Sequence, residues 1–232
     1  MMRWGLFGAV LLFAGCAGGP GGLGGRELRQ APTSPSDLVT AEIAFNRLAQ
    51  EKGQWTAFAE TASQDAIMFT PQITNAQSWL KGRANPAQSV RWQTHKVFIA
   101  CDGTLGVTTG AAQWPDGRQG YFTTIWRRKD KSRATQEILK QWEWVLDTGG
   151  PLQTPLEAPE WLETRVASCK GPPSAAEPTS VDVKAQHHSG ASKDQTLRWH
   201  ASSEANGAHT LYVNIWDGTN MIPVIENKQI AE

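Results

Sequence analysis

The sequence predicts an α+β domain with an export segment before it and a small β-rich extension after it. Two observations carry the class. Apolar residues Leu38, Val39, Ile43, Phe45, Leu48 and Ala49 recur at roughly helical spacing, and from Val90 onward the period changes to two. Strands follow helices instead of alternating with them, which places the helices on one face of an antiparallel sheet. Composition sets the outer limits. Of 232 residues, 40% are apolar and 19% charged, and no apolar run reaches the ~18 residues of a membrane span, so a polytopic membrane protein is excluded. The 22 Lys+Arg balance 22 Asp+Glu, which argues against a nucleic-acid binder working through a broad basic face. The 11 Trp against 2 Tyr are the compositional oddity.

The chain opens with Arg3, an apolar run from Trp4 to Phe13, and the small residues Ala14 and Gly15 before Cys16, so residues 1–15 read as a secretory signal. Phe13-Ala14-Gly15-Cys16 resembles the bacterial lipobox, with Phe13 where Leu is usual. That resemblance implies lipidation of Cys16; Ala17 in place of Asp implies release to the outer membrane. Acyl chains at ~0.8 kcal/mol per buried methylene would hold the protein at a membrane from the periplasmic side. The alternative is an ordinary cleaved signal with a chance cysteine. Residues 16–36 are Gly-, Pro- and Ser-rich and suit a flexible tether. Export leaves Cys101 and Cys169 where disulfides persist, which suggests one bridge, against two free buried thiols.

Ser36 is the expected cap of a first helix that Gly53 stops, and a second helix fits 54–63. Residues 65–70 read as a short strand ended by Pro71, and Asn75 as the cap of a further turn through Ser78, Trp79 and Leu80. Four strands follow: 90–101, closed by Asp102-Gly103; 104–114, closed by Pro115-Asp116-Gly117; 118–128; and, after a charged loop over 128–140, 141–147. Residues 150–180 form a Pro-rich crossing with a short helix expected over 160–167, delivering Cys169 back to the body, and then a linker. Within 181–232, strands at 194–201 and 209–216 flank Asn206-Gly207, and another fits 221–226.

Residues 37–149 resemble the NTF2-like superfamily, a cone of N-terminal helices packed on a curved antiparallel sheet, in its SnoaL-like and DUF4440-like branch. The resemblance rests on Leu38-Val39-Thr40-Ala41-Glu42-Ile43-Ala44-Phe45, Asp65-Ala66-Ile67-Met68-Phe69, Leu105-Gly106-Val107-Thr108-Thr109-Gly110, Gly120-Tyr121-Phe122-Thr123-Thr124-Ile125-Trp126-Arg127 and Trp144-Val145-Leu146-Asp147. The loop over 128–140 departs from it in being longer than the short turn usual there. The resemblance implies a pocket between sheet and helices, acid/base residues on its walls in the enzymes, and a homodimer through the outer sheet face. Nothing matches the Tyr and Asp pattern of ketosteroid isomerase, so no catalytic residue carries over.

Strand parity offers two linings for such a pocket. One set is His95, Tyr121, Thr123, Glu143 and Asp147; the other is Trp92, Phe98, Phe122, Thr124, Trp126, Trp142 and Trp144. If the first faces inward, His95 and Asp147 could pair as base and orienting carboxylate, with Tyr121 donating to a developing oxyanion. The alternative is ordinary polar residues at a half-exposed rim. If the second does, Trp92, Phe122, Trp126, Trp142 and Trp144 line a site for a small apolar ligand, or simply fill the core. No metal is expected: four of the five histidines lie in residues 187–209, but zinc ligands must converge from ordered positions and His187 and His188 point oppositely on a strand, so His187, His188, His200 and His209 read as surface histidines. No cofactor is expected either: the Gly-rich run 18–25 lacks a preceding strand and a Lys-Ser/Thr pair, and there is no nucleophile elbow. The functional expectation is a lipid-anchored periplasmic protein that binds a ligand or serves a structural role, the alternative being an isomerase, cyclase or hydrolase.

Overall fold

Proline at a first helical position loses no needed N–H, and the first helix, α1 (Pro35–Lys52), begins there, with the Ser34 hydroxyl accepting from the Ser36 amide at 3.3 Å. The start therefore falls ahead of the expected Ser36 cap. The computed structural model describes residues 34–129, 138–171, 173 and 185–230. The expected signal segment, Cys16, nearly all of the tether and most of the 128–140 loop and of the linker lie outside them. Gly53, at φ 97, closes α1 and leads straight into α2 (Gln54–Thr61). That helix is shorter than expected because Ala62 already belongs to β1 (Ala62–Phe69), which pairs in parallel with β6 (Trp142–Pro151). A strand not expected from the sequence, β2 (Ile73–Asn75), pairs with β1, and α3 (Ala76–Leu80) follows with the Asn75 side chain accepting from the Ser78 amide at 2.9 Å.

The four-strand meander forms as expected: β3 (Arg91–Ile99), β4 (Leu105–Gln113), β5 (Gln119–Arg128) and β6, with the short α4 (Ile138–Gln141) before β6. The helix expected over 160–167 is instead β7 (Glu163–Val166), parallel to β3 with Lys96 opposite Glu163 and Ile99 opposite Val166. All four of its residues are exposed, so a helix in its place would have had no apolar face to bury, whereas a strand pairs the open edge of β3. The large sheet thus runs β2-β1-β6-β5-β4-β3-β7. The C-terminal residues build a second antiparallel sheet, β11-β10-β9-β8, from β8 (Gln186–Ala191), β9 (Leu197–Ser203), β10 (His209–Trp216) and β11 (Met221–Gln229). It gains β8 over the three expected strands.

Two cores lie on opposite faces of the large sheet. Leu38, Phe45 and Phe58 of the helices pack with Val97, Ile99, Trp126, Trp142 and Trp144. On the other face Phe98, Val107, Ile125 and Leu146 meet Leu197, Leu211, Val213 and Ile215 of the second sheet. That second face is the one through which the resemblance implied a homodimer, and the chain's own C-terminal sheet covers it.

Bulges decide which side chains share a face. The β3–β4 register shifts between Thr94 and Lys96, leaving His95 as the extra residue, so Trp92 and Val97 both face the helices despite their odd separation. Gly110 lies opposite this bulge; a Cβ on it would sit 2.0 Å from the Gln93 carbonyl oxygen. The β5–β6 register shifts between Ile125 and Trp126, making Val145 the extra residue and returning Asp147 to the helix side with Trp144. Strict alternation, which separated Asp147 from the Trp set, fails at that point.

Hydrogen bonds fasten the two sheets at both ends, and at one of them the disulfide between Cys101 and Cys169, with Cα atoms 5.3 Å apart, ties the β3–β4 turn to the segment after β7, as the cysteine count suggested. Next to it, Asp102 and Asp194 clasp each other's turns, each amide donating to the other's carboxylate at 2.8 Å. At the far end the Ile73 amide donates to Ser203 Oγ at 3.1 Å, and Thr123 Oγ1 donates to Asn227 Oδ1 at 2.8 Å.

Candidate functional site

A buried indole needs an acceptor for its N–H, and the helix-side core supplies one in Glu42 of α1, itself 1% exposed. Its Oε1 accepts from Trp92 Nε1 at 2.6 Å, and its Oε2 from Trp126 Nε1 at 2.9 Å and from the Thr108 hydroxyl. Burial pushes the Glu42 carboxyl up, and these three hydrogen bonds pull it partly back. Glu42 thereby fixes the Trp92 ring, which forms one wall of a cavity of about 170 Å³.

Aromatic and aliphatic side chains dominate this cavity: Trp55 and Phe58 from α2, Met68 and Phe69 from β1, and Phe122 from β5 beside Trp92. Its polar wall holds Asp147 and Thr148 of β6, Tyr121 of β5 and His209 of β10. The Thr124 hydroxyl donates to Asp147 Oδ2 at 2.7 Å. Burial pushes the Asp147 carboxyl up to about 8; Thr124 pulls it down and the nearby Glu42 pushes it further up. At neutral pH Asp147 is therefore mostly a protonated acid, a donor as well as an acceptor. The Tyr121 hydroxyl is also raised by burial; it lies beside Gln229 and Thr148 but closes no hydrogen bond of standard geometry among the described residues. Among the described residues no Lys or Arg lines the cavity.

The structure brings together Asp147, Tyr121, Trp92 and Phe122 of the residues singled out from sequence, drawing on both parity sets. His95 is not with them. It lines a separate, open groove with Arg47 and Arg91, and burial followed by the charge of Lys96 lowers its pKa. The expected His95–Asp147 pairing therefore does not form. Trp126, Trp142 and Trp144 are fully buried in the helix-side core and do not line the cavity. Their volume fills the cone's interior, and the cavity is what remains toward its mouth. His209 and Glu42 were missed. The signal for Glu42 was an acidic residue on the apolar face of α1, whereas His209 carried none, since it comes from a sheet outside the resemblance. Among the described residues no three His, Cys, Asp or Glu side chains cluster as metal ligands.

No family model matches this chain, and no curated protein matches it. Solved structures similar to it include a protein of Novosphingobium aromaticivorans described as a candidate aromatic ring hydroxylase, at 12% identity and a TM-score of 0.35 over 52% of this chain and 90% of that one. An NTF2-like protein of unknown function from Mesorhizobium loti is similar at 14% identity and a TM-score of 0.32, over 52% of this chain and 96% of that one. The arrangement is the one that the resemblance of residues 37–149 led us to expect: helices precede and pack on a large mixed sheet, with a pocket between the two layers.

Proposed function

We propose that this chain is an envelope ligand-binding protein whose pocket takes a small neutral molecule of single-ring size that carries one hydrogen-bond acceptor. The observation that carries this reading is the Asp147 carboxyl, held by the Thr124 hydroxyl in the polar wall of a mostly apolar cavity, where burial favours its protonated form. An apolar cavity of ~150 Å³ is large enough to admit benzene, so a pocket of about 170 Å³ suits one ring with a short substituent. The neutral carboxyl would donate to a carbonyl oxygen without holding a charge in the dry wall. Calorimetric titration with benzaldehyde and toluene tests it. Benzaldehyde is expected to bind about tenfold more tightly than toluene, a difference of roughly 1.4 kcal/mol, and Asp147→Leu to erase the preference. Equal affinities in the unsubstituted protein would sink the reading.

The anchor is part of the same proposal. Phe13-Ala14-Gly15-Cys16 supports lipidation at Cys16 and attachment on the periplasmic side, probed by metabolic acyl labelling with and without Cys16→Ala. The enzymatic alternative, a SnoaL-like isomerase, cyclase or hydrolase, draws support from the Asp147 carboxyl titrating close to neutrality, a property suited to proton transfer.

A further inference from the structure

β7 leaves an edge of the large sheet open. It ends the strand order beside β3, and among the described residues no further strand pairs with it. All four of its residues are exposed. Leu162 at 39%, Val166 at 49% and Trp161 at 78% stand among the large apolar groups that the fold leaves in water. An edge of this kind is a template for another strand, and proteins usually guard it. The edge strand β11 contains Pro223, and its pairing with β10 shifts register between Val213 and Asn214. β7 carries neither a proline nor a register shift.

Which groups β7 presents follows from its pairing with β3. The Ala167 amide donates to the Ile99 carbonyl at 2.8 Å, so Ala167 turns its backbone groups toward β3, and by alternation Arg165 and Glu163 do the same. The N–H and C=O groups of Leu162, Thr164 and Val166 therefore point away from the sheet. Side chains alternate as well. Thr164 and Val166 stand opposite Val97 and Ile99, whose side chains enter the helix-side core, and Leu162 shares their face. Glu163 and Arg165 take the other face, where Lys96 Nζ lies 2.9 Å from Glu163 Oε2.

We propose that this edge pairs antiparallel with the same edge of a second copy of the chain, about a two-fold axis through Thr164. In that register the sequence complements itself: Leu162 meets Val166 of the second copy, Glu163 meets its Arg165, and Thr164 meets Thr164. The outward backbone groups of Leu162, Thr164 and Val166 are those an antiparallel ladder uses at such pairs, and the Glu163–Arg165 contact brings opposite charges together twice. A contact of one surface with itself closes as a dimer. The axis stands perpendicular to the sheet, so the exposed Ile43 of each α1, a helix that lies beside β7, comes to the same side as Leu162 and Val166. The C-terminal sheet stays in place, unlike in a dimer through the outer sheet face, and the contact does not depend on what the pocket binds.

Exchanging the charges tests the pairing and its register together. Sedimentation of the mature chain is expected to show a dimer whose population rises with concentration; a chain still monomeric at about 0.1 mM would overturn the proposal. Glu163→Arg and Arg165→Glu each set like charges opposite one another twice, and each is expected to weaken self-association by about tenfold or more. Both positions are exposed, so folding should survive either change. An equimolar mixture of the two variants is expected to form a heterodimer within about threefold of the original affinity, because opposite signs then face each other at both contacts. Single variants that associate as tightly as the original, or a mixture no tighter than its components, would sink the register. Thr164→Cys sets two thiols at the axis, with Cα atoms about 5.5 Å apart, and is expected to cross-link on mild oxidation, whereas Val166→Cys is not. Equal cross-linking of both would also count against it. In amide exchange the N–H groups of Leu162, Thr164 and Val166 are expected to slow as the chain is concentrated. Protection that appears only on adding envelope extract would give the edge to a different partner and reject the second copy.

Discussion

On its helix side the seven-stranded sheet buries three fully enclosed indoles and a carboxyl; on its other side it buries mainly aliphatic side chains with Phe98 and Trp199. The two faces solve different problems. Indoles bring area but also N–H groups, and the first face supplies acceptors for most of them: Glu42 serves Trp92 and Trp126, the Phe58 carbonyl and Thr61 serve Trp144, and Trp142 Nε1 alone of these has no partner among the described residues. The second face carries few polar obligations. Its two sheets could slide, and the polar Asp102–Asp194 clasp at one end opposes that, beside the Cys101–Cys169 bridge that ties the β3–β4 turn to the segment after β7. Specificity lies within the packing on one side and at its margins on the other. The pocket sits on the first side and borrows His209 from the second layer.

Removing the polar centre of the first face should produce the largest effect. Glu42→Ala removes the acceptor of the Trp92 and Trp126 indoles and of the Thr108 hydroxyl, of which Trp126 keeps Thr108 Oγ1 at 3.1 Å; at ~1–3 kcal/mol for each group left unpaired it is expected to destabilise by about 5 kcal/mol. Chemical denaturation monitored by Trp fluorescence reads this directly. Glu42→Gln, which keeps an acceptor oxygen, should cost clearly less; equal costs would show that the network is passive and that the two faces do not differ as described.

Breaking the disulfide beside that clasp comes next. The Cys101–Cys169 bridge spans 68 residues, for which the chain-entropy relation gives about 4 kcal/mol. The double replacement Cys101→Ser with Cys169→Ser is expected to lower stability by up to that amount. The Asp102–Asp194 clasp remains in place and should keep the sheets in register, so amide exchange in β9 and β10 should stay slow compared with that of exposed turns. Fast exchange across both strands would show that the clasp adds little.

The pH dependence of the pocket wall is the smallest of the three. Asp147 binds its proton up to about pH 8 in the folded chain but releases it near 3.8 when unfolded. Between those values the folded state holds more protons, so stability falls as pH rises from about 4 toward 8 and levels off above. The wall is part-exposed at Asp147, so the fall to pH 7 is expected at roughly 3 kcal/mol, below the ~1.4 kcal/mol per pH unit of full linkage. Asp147→Asn keeps an acceptor for Thr124 and should remove its share of this slope, leaving the share of Glu42, whose carboxyl burial also raises. An unchanged slope in melts at pH 5 and pH 7.5 would place the titration elsewhere.

Much of the fold was legible because it is written in local patterns. The helical spacing from Leu38 to Ala49, the Asn75 cap and the turns at Asp102-Gly103, Pro115-Asp116-Gly117 and Asn206-Gly207 each act over a few residues. The site was legible only in part. Asp147, Tyr121, Trp92 and Phe122 were found, but the bulges at His95 and Val145 reshuffled their faces, since one inserted residue reverses parity and leaves no clear mark in the sequence. Residues 163–166 carried no apolar stripe, and what they became depended on the free edge of β3.

The sequence by itself determined the α+β class, the helix-then-meander order, the aromatic core and the pairing of the two cysteines, because apolar period, turn chemistry and cysteine count are properties of short segments or of the whole composition. Only the tertiary structure decided that the C-terminal residues cover the outer sheet face, that Glu42 stands among the indoles, and that His209 joins Asp147 in one cavity. Those outcomes depend on contacts between residues 50 or more positions apart, whose register is set by bulges, edges and packing that no local pattern encodes.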